Sequence, residues 1–371
     1  MKYLTFLLIL TSSISNAEIT KLRYIDDISF PTGTTFQNSE IGGLSGLSYN
    51  KNSQKLIAIS DDRSQRGPSR FYAFDINVTL NKLTVKPTSM VSLRTSNGQT
   101  FSMLRLDPEG IAVTEAGRVF VSSEGDMSQI PRLNPELFEL QSNGNFVQPL
   151  SVPSLFLAQP SGVQTTGIRN NLGFESLTLS PDEKNIFTAT EEALLQDDSG
   201  ASFARGSRIR ILEYVLNDQN VIPAREFAYD IEKIPTPLGF QPLYGNNGLS
   251  EMVSLGNSEF LMLERSFVQR DKLMQLNVKV FHANCKLATD VSSIASLKVA
   301  PLTIMPCKKT QILRLETFRG LLSFNHILDN IEGMSFGPIL PNGRRSLILV
   351  SDNNFNTKQH TQFMAFEVFE N

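Results

Sequence analysis

The chain reads as an all-β protein, a β-propeller of five or six blades in which antiparallel four-stranded sheets surround a central channel. Three observations predict it. One short phrase recurs five times, each copy is followed by an apolar run ending in an acid, and no long segment carries the 3.6-residue period of an amphipathic helix.

The phrase has the columns acid, small, aliphatic, small, apolar. Its copies are Ser45-Gly46-Leu47-Ser48-Tyr49, Glu109-Gly110-Ile111-Ala112-Val113, Glu175-Ser176-Leu177-Thr178-Leu179, Glu251-Met252-Val253-Ser254-Leu255 and Glu332-Gly333-Met334-Ser335-Phe336. They begin 64, 66, 76 and 81 residues apart. The second strand of each unit is the apolar run that closes on Asp61, Glu124, Glu191, Glu264 or Asp352. A third, alternating piece follows in most copies, as in Arg70-Phe71-Tyr72-Ala73-Phe74-Asp75. Turn signals such as Ser180-Pro181-Asp182-Glu183 and Pro341-Asn342-Gly343 separate the runs. Propeller blades usually repeat every 40 to 50 residues, so the longer spacing here needs long loops or an additional blade. The gap from Glu251 to Glu332 is where a sixth blade has room. Lys21-Leu22-Arg23-Tyr24-Ile25 is placed to give the last blade a strand and close the ring. A two-sheet sandwich is the rival, but it does not explain one phrase recurring along the whole chain.

At the N-terminus, Lys2, the apolar run Tyr3 to Leu10 and the small residues Ser15-Asn16-Ala17 match a secretory signal peptide over residues 1–17. Residues 18–371 are then one propeller domain, periplasmic or extracellular. No run approaches the roughly 20 apolar residues of a membrane span. With 34 Lys and Arg against 37 Asp and Glu there is no basic footprint for nucleic acid. The two cysteines, Cys285 and Cys307, have no CxxC spacing, and in an oxidising compartment such a pair reads as a disulfide. A monomer is expected.

The acids carry the functional expectation. The start of a first strand and the end of its antiparallel neighbour lie at one end of a sheet. Glu109, Glu175, Glu251 and Glu332 should therefore ring the channel, with Asp61, Glu124, Glu191, Glu264 and Asp352 close outside. Carboxylates gathered in a partly buried cleft repel one another and call for positive charge. Oxygen-only ligands suit a hard cation, which favours Ca²⁺ over Zn²⁺ or copper and leaves Mg²⁺ and Mn²⁺ as alternatives. An arginine network built from Arg63, Arg70, Arg205, Arg208 and Arg265 resolves the same repulsion without an ion.

Taken in order, Gly42-Gly43-Leu44-Ser45-Gly46-Leu47, Asp107-Pro108-Glu109-Gly110, Gly173-Phe174-Glu175-Ser176-Leu177, Leu261-Met262-Leu263-Glu264-Arg265, Asn330-Ile331-Glu332-Gly333-Met334 and Ser351-Asp352-Asn353-Asn354-Phe355 resemble the family called esterase-like activity of phytase. The resemblance spans nearly all of residues 18–371 and implies an exported propeller that hydrolyses phosphate esters or related esters. A small anionic ester would then be bound by metal-held acids and clamped by arginines, with Arg63, Arg70 and Arg265 the candidates; Arg70 begins a strand and reads rather as the structural partner of a neighbouring carboxylate. His326 is the candidate proton shuttle. Gly333-Met334-Ser335-Phe336-Gly337 fits G-x-S-x-G, but Ser335 falls in the small column of the repeat, where strand packing accounts for it. The alternative from another class is a non-catalytic binding module in which calcium is structural.

Overall fold

The computed structural model describes residues 19–217, 220–237, 239, 241–298, 303–323 and 328–370. The expected signal segment, residues 1–17, and His326 lie outside them. Among the described residues, five antiparallel four-stranded sheets form a five-bladed β-propeller. Blade 1 comprises Leu44–Asn50, Lys55–Ser60, Arg70–Val78 and Leu83–Ser92, and blade 2 comprises Pro108–Val113, Val119–Ser123, Glu136–Leu140 and Phe146–Leu150. Blade 3 comprises Phe174–Leu179, Asn185–Thr190, Ser207–Leu216 and Val221–Ile231, and blade 4 Tyr244–Gly256, Glu259–Arg270, Leu273–Asn284 and Lys308–Arg314. Blade 5 takes Asn330–Ile339, Arg345–Asp352 and His360–Glu370 from the end of the chain and Ile19–Pro31 from its start. That last pairing, antiparallel from Ile19↔Glu370 to Pro31↔His360, closes the ring as the N-terminal strand pattern predicts.

The inner strands touch in sequence around the channel, from blade 1 through blade 5 and back. One apolar cluster fills each of the five blade interfaces. The alternation of a strand explains this arrangement. Leu56 and Ala58 pack toward blade 5, while Ile57 and Ile59 pack toward blade 2. Both faces are buried, so second strands read as continuous apolar runs rather than alternating ones. Each buried Leu, Ile or Phe stabilises the stack by about 1.5–3 kcal/mol.

Among its described residues, the wide gap after Glu251 holds no sixth blade. Long blade-4 strands, a loop closed by the Cys285–Cys307 disulfide, and the short helical turn Leu315–Leu321 occupy its described residues. The bridge ties the end of the third strand to the start of the fourth within one sheet. No helix among the described residues is long and apolar enough to cross a membrane.

Candidate functional site

Every inner strand loses register near its start. The pairing steps over Ser45, Glu109 with Gly110, Glu175, Ser250 and Glu332 in blades 1 to 5. A β-bulge re-aims the side chain it leaves unpaired, and here Glu109, Glu175 and Glu332 turn into one mouth of the channel. The ends of the second strands are held beside them. Asp61, Glu124 and Glu191 donate their backbone N–H to the carbonyls of Gly43, Asp107 and Gly173, at 2.8, 2.9 and 2.8 Å. Gly43, at φ +60°, has no room for a side chain, because a Cβ there would lie 1.9 Å from Asp61 Oδ1.

Blade 4 departs from the expected columns by one residue. Counted from its bulge, the position of Glu109, Glu175 and Glu332 is Ser250, and Glu251 stands where the other blades carry Gly46, Gly110, Ser176 and Gly333. A one-residue slip reverses the face a side chain points to. Glu251 is accordingly not in the mouth but buried within the channel. Its Oε1 accepts the N–H of Met252 at 3.0 Å, and backbone N–H groups of Leu47, Leu177 and Met334, from three other blades, oppose the upward pull of burial on its pKa. The same slip applies to the second strand. Glu264 is not brought to the mouth, since Tyr229, Asn247, Lys309 and the N–H of Glu232 surround its carboxylate elsewhere. The fifth acid position belongs to Arg265 instead.

The mouth is a cavity of about 610 Å³. Besides Arg66 and Asp62, the latter held by Arg70, it is lined by Asp61, Asp107, Glu109, Glu175, Glu191, Glu332 and Asp352, and Glu124 adjoins them. Facing these eight carboxylates are two arginines at close range. Arg265 Nη2 lies 3.3 Å from Glu191 Oε1 and 3.2 Å from Glu332 Oε1, while Arg63 reaches Asp107 at 3.3 Å and Asp126 at 2.9 Å. Burial, then mutual repulsion, pushes Asp61, Glu109, Glu124, Glu175 and Asp352 well above the usual carboxylate range. For Glu191, burial wins over Arg265 and raises it to about 7; for Asp107, burial wins over Arg63 and gives about 6. Glu332 is raised by burial against the opposing pull of Arg265. Burial also works against the charge of Arg265, but Glu332, Glu191, Glu175 and Asp352 outweigh it and keep it protonated.

Asp107 is the residue that column reasoning misses. The other blades carry Gly43, Gly173, Gly248 and Asn330 in its column, so no repeat marks it. Among the remaining candidates, Arg70 is fully buried and bound to Asp62 at 2.6 Å and to Tyr72 at 2.7 Å, a structural partner as its strand position suggests. Arg205 and Arg208 pair with Asp198 and Asp230, away from this cavity. Ser335 lies within the first strand of blade 5, its hydroxyl donating to the carbonyl of Phe336, and lacks the strand-to-helix turn a nucleophilic serine needs.

Two carboxylate sets could hold a cation: Asp107, Glu109 and Glu124, and Glu124, Glu175 and Glu191. Each offers oxygens that all lie within 4.8 Å of one another. Oxygens bound to one Ca²⁺ at about 2.4 Å can be no more than about 4.8 Å apart, and both sets stay within that limit. Asp61 Oδ1 is buried here without a hydrogen-bond partner, as is Nε of both Arg63 and Arg265.

The family model for phytase-like proteins, described as esterase-like activity of phytase, matches residues 39–355. An alignment 185 positions long, which takes in 44% of this chain, is 25% identical to an uncharacterized secreted protein of Arthroderma benhamiae. The match spans about a third, 34%, of that fungal protein's length.

Proposed function

This chain belongs to the phytase-like family, and from that premise we propose that it is an exported, calcium-dependent hydrolase of phosphate esters or related anionic esters. One observation carries the reading. Setting aside Asp62, which Arg70 holds, and Arg66, which turns to Glu40, eight carboxylates converge on a cavity where Arg63 and Arg265 are the guanidinium groups paired with them, and an ion of high charge is what such an excess recruits.

Asp107, Glu109, Glu124, Glu175 and Glu191 would hold the ion, Glu124 being common to both sets. When bound, Ca²⁺ supplies Lewis-acid polarisation of an ester oxygen and lowers the pKa of a coordinated water. Arg63, whose Nε lies 3.3 Å from Asp107 Oδ2, and Arg265, whose Nη2 faces Glu191 and Glu332, flank the same cavity. They serve as the clamp for the remaining anionic oxygens, because charge-assisted guanidinium bonds are about twice as strong as neutral ones. Export follows from the signal-like residues 1–17 and agrees with the disulfide and with a relative described as secreted.

The test is metal analysis of the purified protein beside Glu124→Gln, together with turnover of model phosphate and carboxylate esters with and without chelator. Bound calcium that disappears in the variant, and activity abolished by chelator and restored by Ca²⁺, is the expected result. Calcium that stabilises the fold without any turnover assigns the mouth to binding alone. A protein that retains no divalent ion, and whose melting temperature ignores Ca²⁺, overturns the metal site.

A further inference from the structure

Blade 4 stands taller than its neighbours. Its first three strands run 13, 12 and 12 residues, against 6, 6 and 10 in blade 3 and 10, 8 and 11 in blade 5. The surplus rises over the acidic mouth. Beyond Arg265 the second strand continues through Arg270, about five residues or about 16 Å of extended chain.

The cross-strand pairs state what this overhang presents. Arg265 pairs with Gly248 and Val278, Phe267 with Asn246 and Leu276, and Gln269 with Tyr244 and Met274. Alternate residues of a strand share a face, so Arg265 stands at the base with Phe267, Leu276 and Met274 above it. All four line the mouth cavity. The ring of Tyr244 backs Phe267 at 5.6 Å between centroids. The cavity therefore joins a floor of carboxylates and guanidinium groups to an apolar wall, with Met274 57% exposed. Water gains nothing from that wall, and an inorganic anion makes no use of it; an apolar group on the ligand does.

We propose that the ester recognised here is amphiphilic, an aryl or alkyl ester of an anionic head group, and that Phe267, Leu276 and Met274 select its apolar part. This rests on the reading of the mouth as an anionic-ester site. The volume of about 610 Å³ admits both parts, being within the range of small-molecule pockets. The two ends of such a ligand would be held by different blades, the head at the ring and the organic group against the overhang.

The chain has no tryptophan, so a naphthyl ligand can be followed by its own fluorescence. Affinities for 1-naphthyl phosphate, read directly, and for glycerol 2-phosphate, read by competition, are measured by stopped-flow in the presence of Ca²⁺, before turnover consumes either ester. The wild type should prefer the naphthyl ester, and Phe267→Ala and Leu276→Ala should each lower that preference roughly tenfold. Gln275→Ala, on the opposite face of the overhang beside Val268, should keep the wild-type ratio. Phe267→Leu, expected to lose about threefold, serves where alanine fails to fold. Ratios within twofold of wild type in both wall variants overturn the apolar wall while leaving the anion site standing. Absence of binding of either ester to the wild type instead removes the anionic-ester reading beneath it.

Discussion

Two buried charge clusters in this molecule are built on opposite plans. At Arg210 the guanidinium is inaccessible to solvent and every N–H is used: Asp197 takes two at 2.6 and 3.0 Å, Glu226 one at 2.7 Å, and the carbonyls of Val291 and Ile294 the others at 3.1 and 2.7 Å. At the channel mouth eight carboxylates meet Arg63 and Arg265, and buried atoms of Asp61, Arg63 and Arg265 stay without hydrogen bonds. The first cluster completes itself and ties blade 3 to the loop of blade 4. The second leaves charged groups and buried polar atoms unpaired, as binding sites do, and under the function proposed above a bound cation completes it.

The largest effect that separates the two belongs to Arg210. Arg210→Ala strands Asp197 and Glu226 in a dry interior, and a loss of about 3–5 kcal/mol is expected, equal with and without Ca²⁺ in urea titrations. A loss below about 1 kcal/mol would erase the contrast.

At the mouth the same kind of change should act the other way. In calcium-free buffer Glu175→Gln relieves repulsion and leaves stability at or slightly above wild type. With Ca²⁺ at about a hundred times its dissociation constant, wild type should gain about 2.7 kcal/mol, and the variant, which keeps only the set of Asp107, Glu109 and Glu124, should gain less. Thermal melts of both proteins in the two buffers read this directly; a variant that is simply less stable in each buffer would make the mouth another Arg210.

The smallest effect is a control on exposed charge. Glu367, bound by Arg23 at 2.6 Å and Arg344 at 2.9 Å, has its pKa lowered to about 2 as these partners, with Asn342, overcome burial. A depressed carboxylate contributes stability that is present above its unfolded value near 4.3 and lost as pH falls toward 2. Because both arginines are well exposed, the contribution is about 1 kcal/mol after screening. Glu367→Gln should therefore cost that much at pH 7 and nothing near pH 2, in melts at low salt.

The repeat made much of this legible. Acid at the start of the first strand and acid at the end of the second follow from antiparallel pairing, and Glu109, Glu175, Glu332, Asp61, Glu124, Glu191 and Asp352 do converge. Blade 4 escaped because Ser250-Glu251 and Glu264-Arg265 each offer two frames, and the frame with the acid matches the other copies better by letter. Alignment on Gly43, Gly173 and Gly248, which share one column two residues before Ser45, Glu175 and Ser250, would have pointed to the other frame.

What the sequence determined by itself is the architecture: apolar runs buried on both faces, divided by turns and repeated, can bury their surface only by stacking against copies of themselves. It also determined that the acids share one end, because strand direction alone decides that. Only the tertiary structure decided the number of blades, the entry of Asp107 and Arg265 into the mouth, the withdrawal of Glu251 into the channel and the overhang of blade 4. The physical reason is that neighbouring residues on a strand face opposite ways, and a bulge, invisible in a one-dimensional pattern, chooses between them.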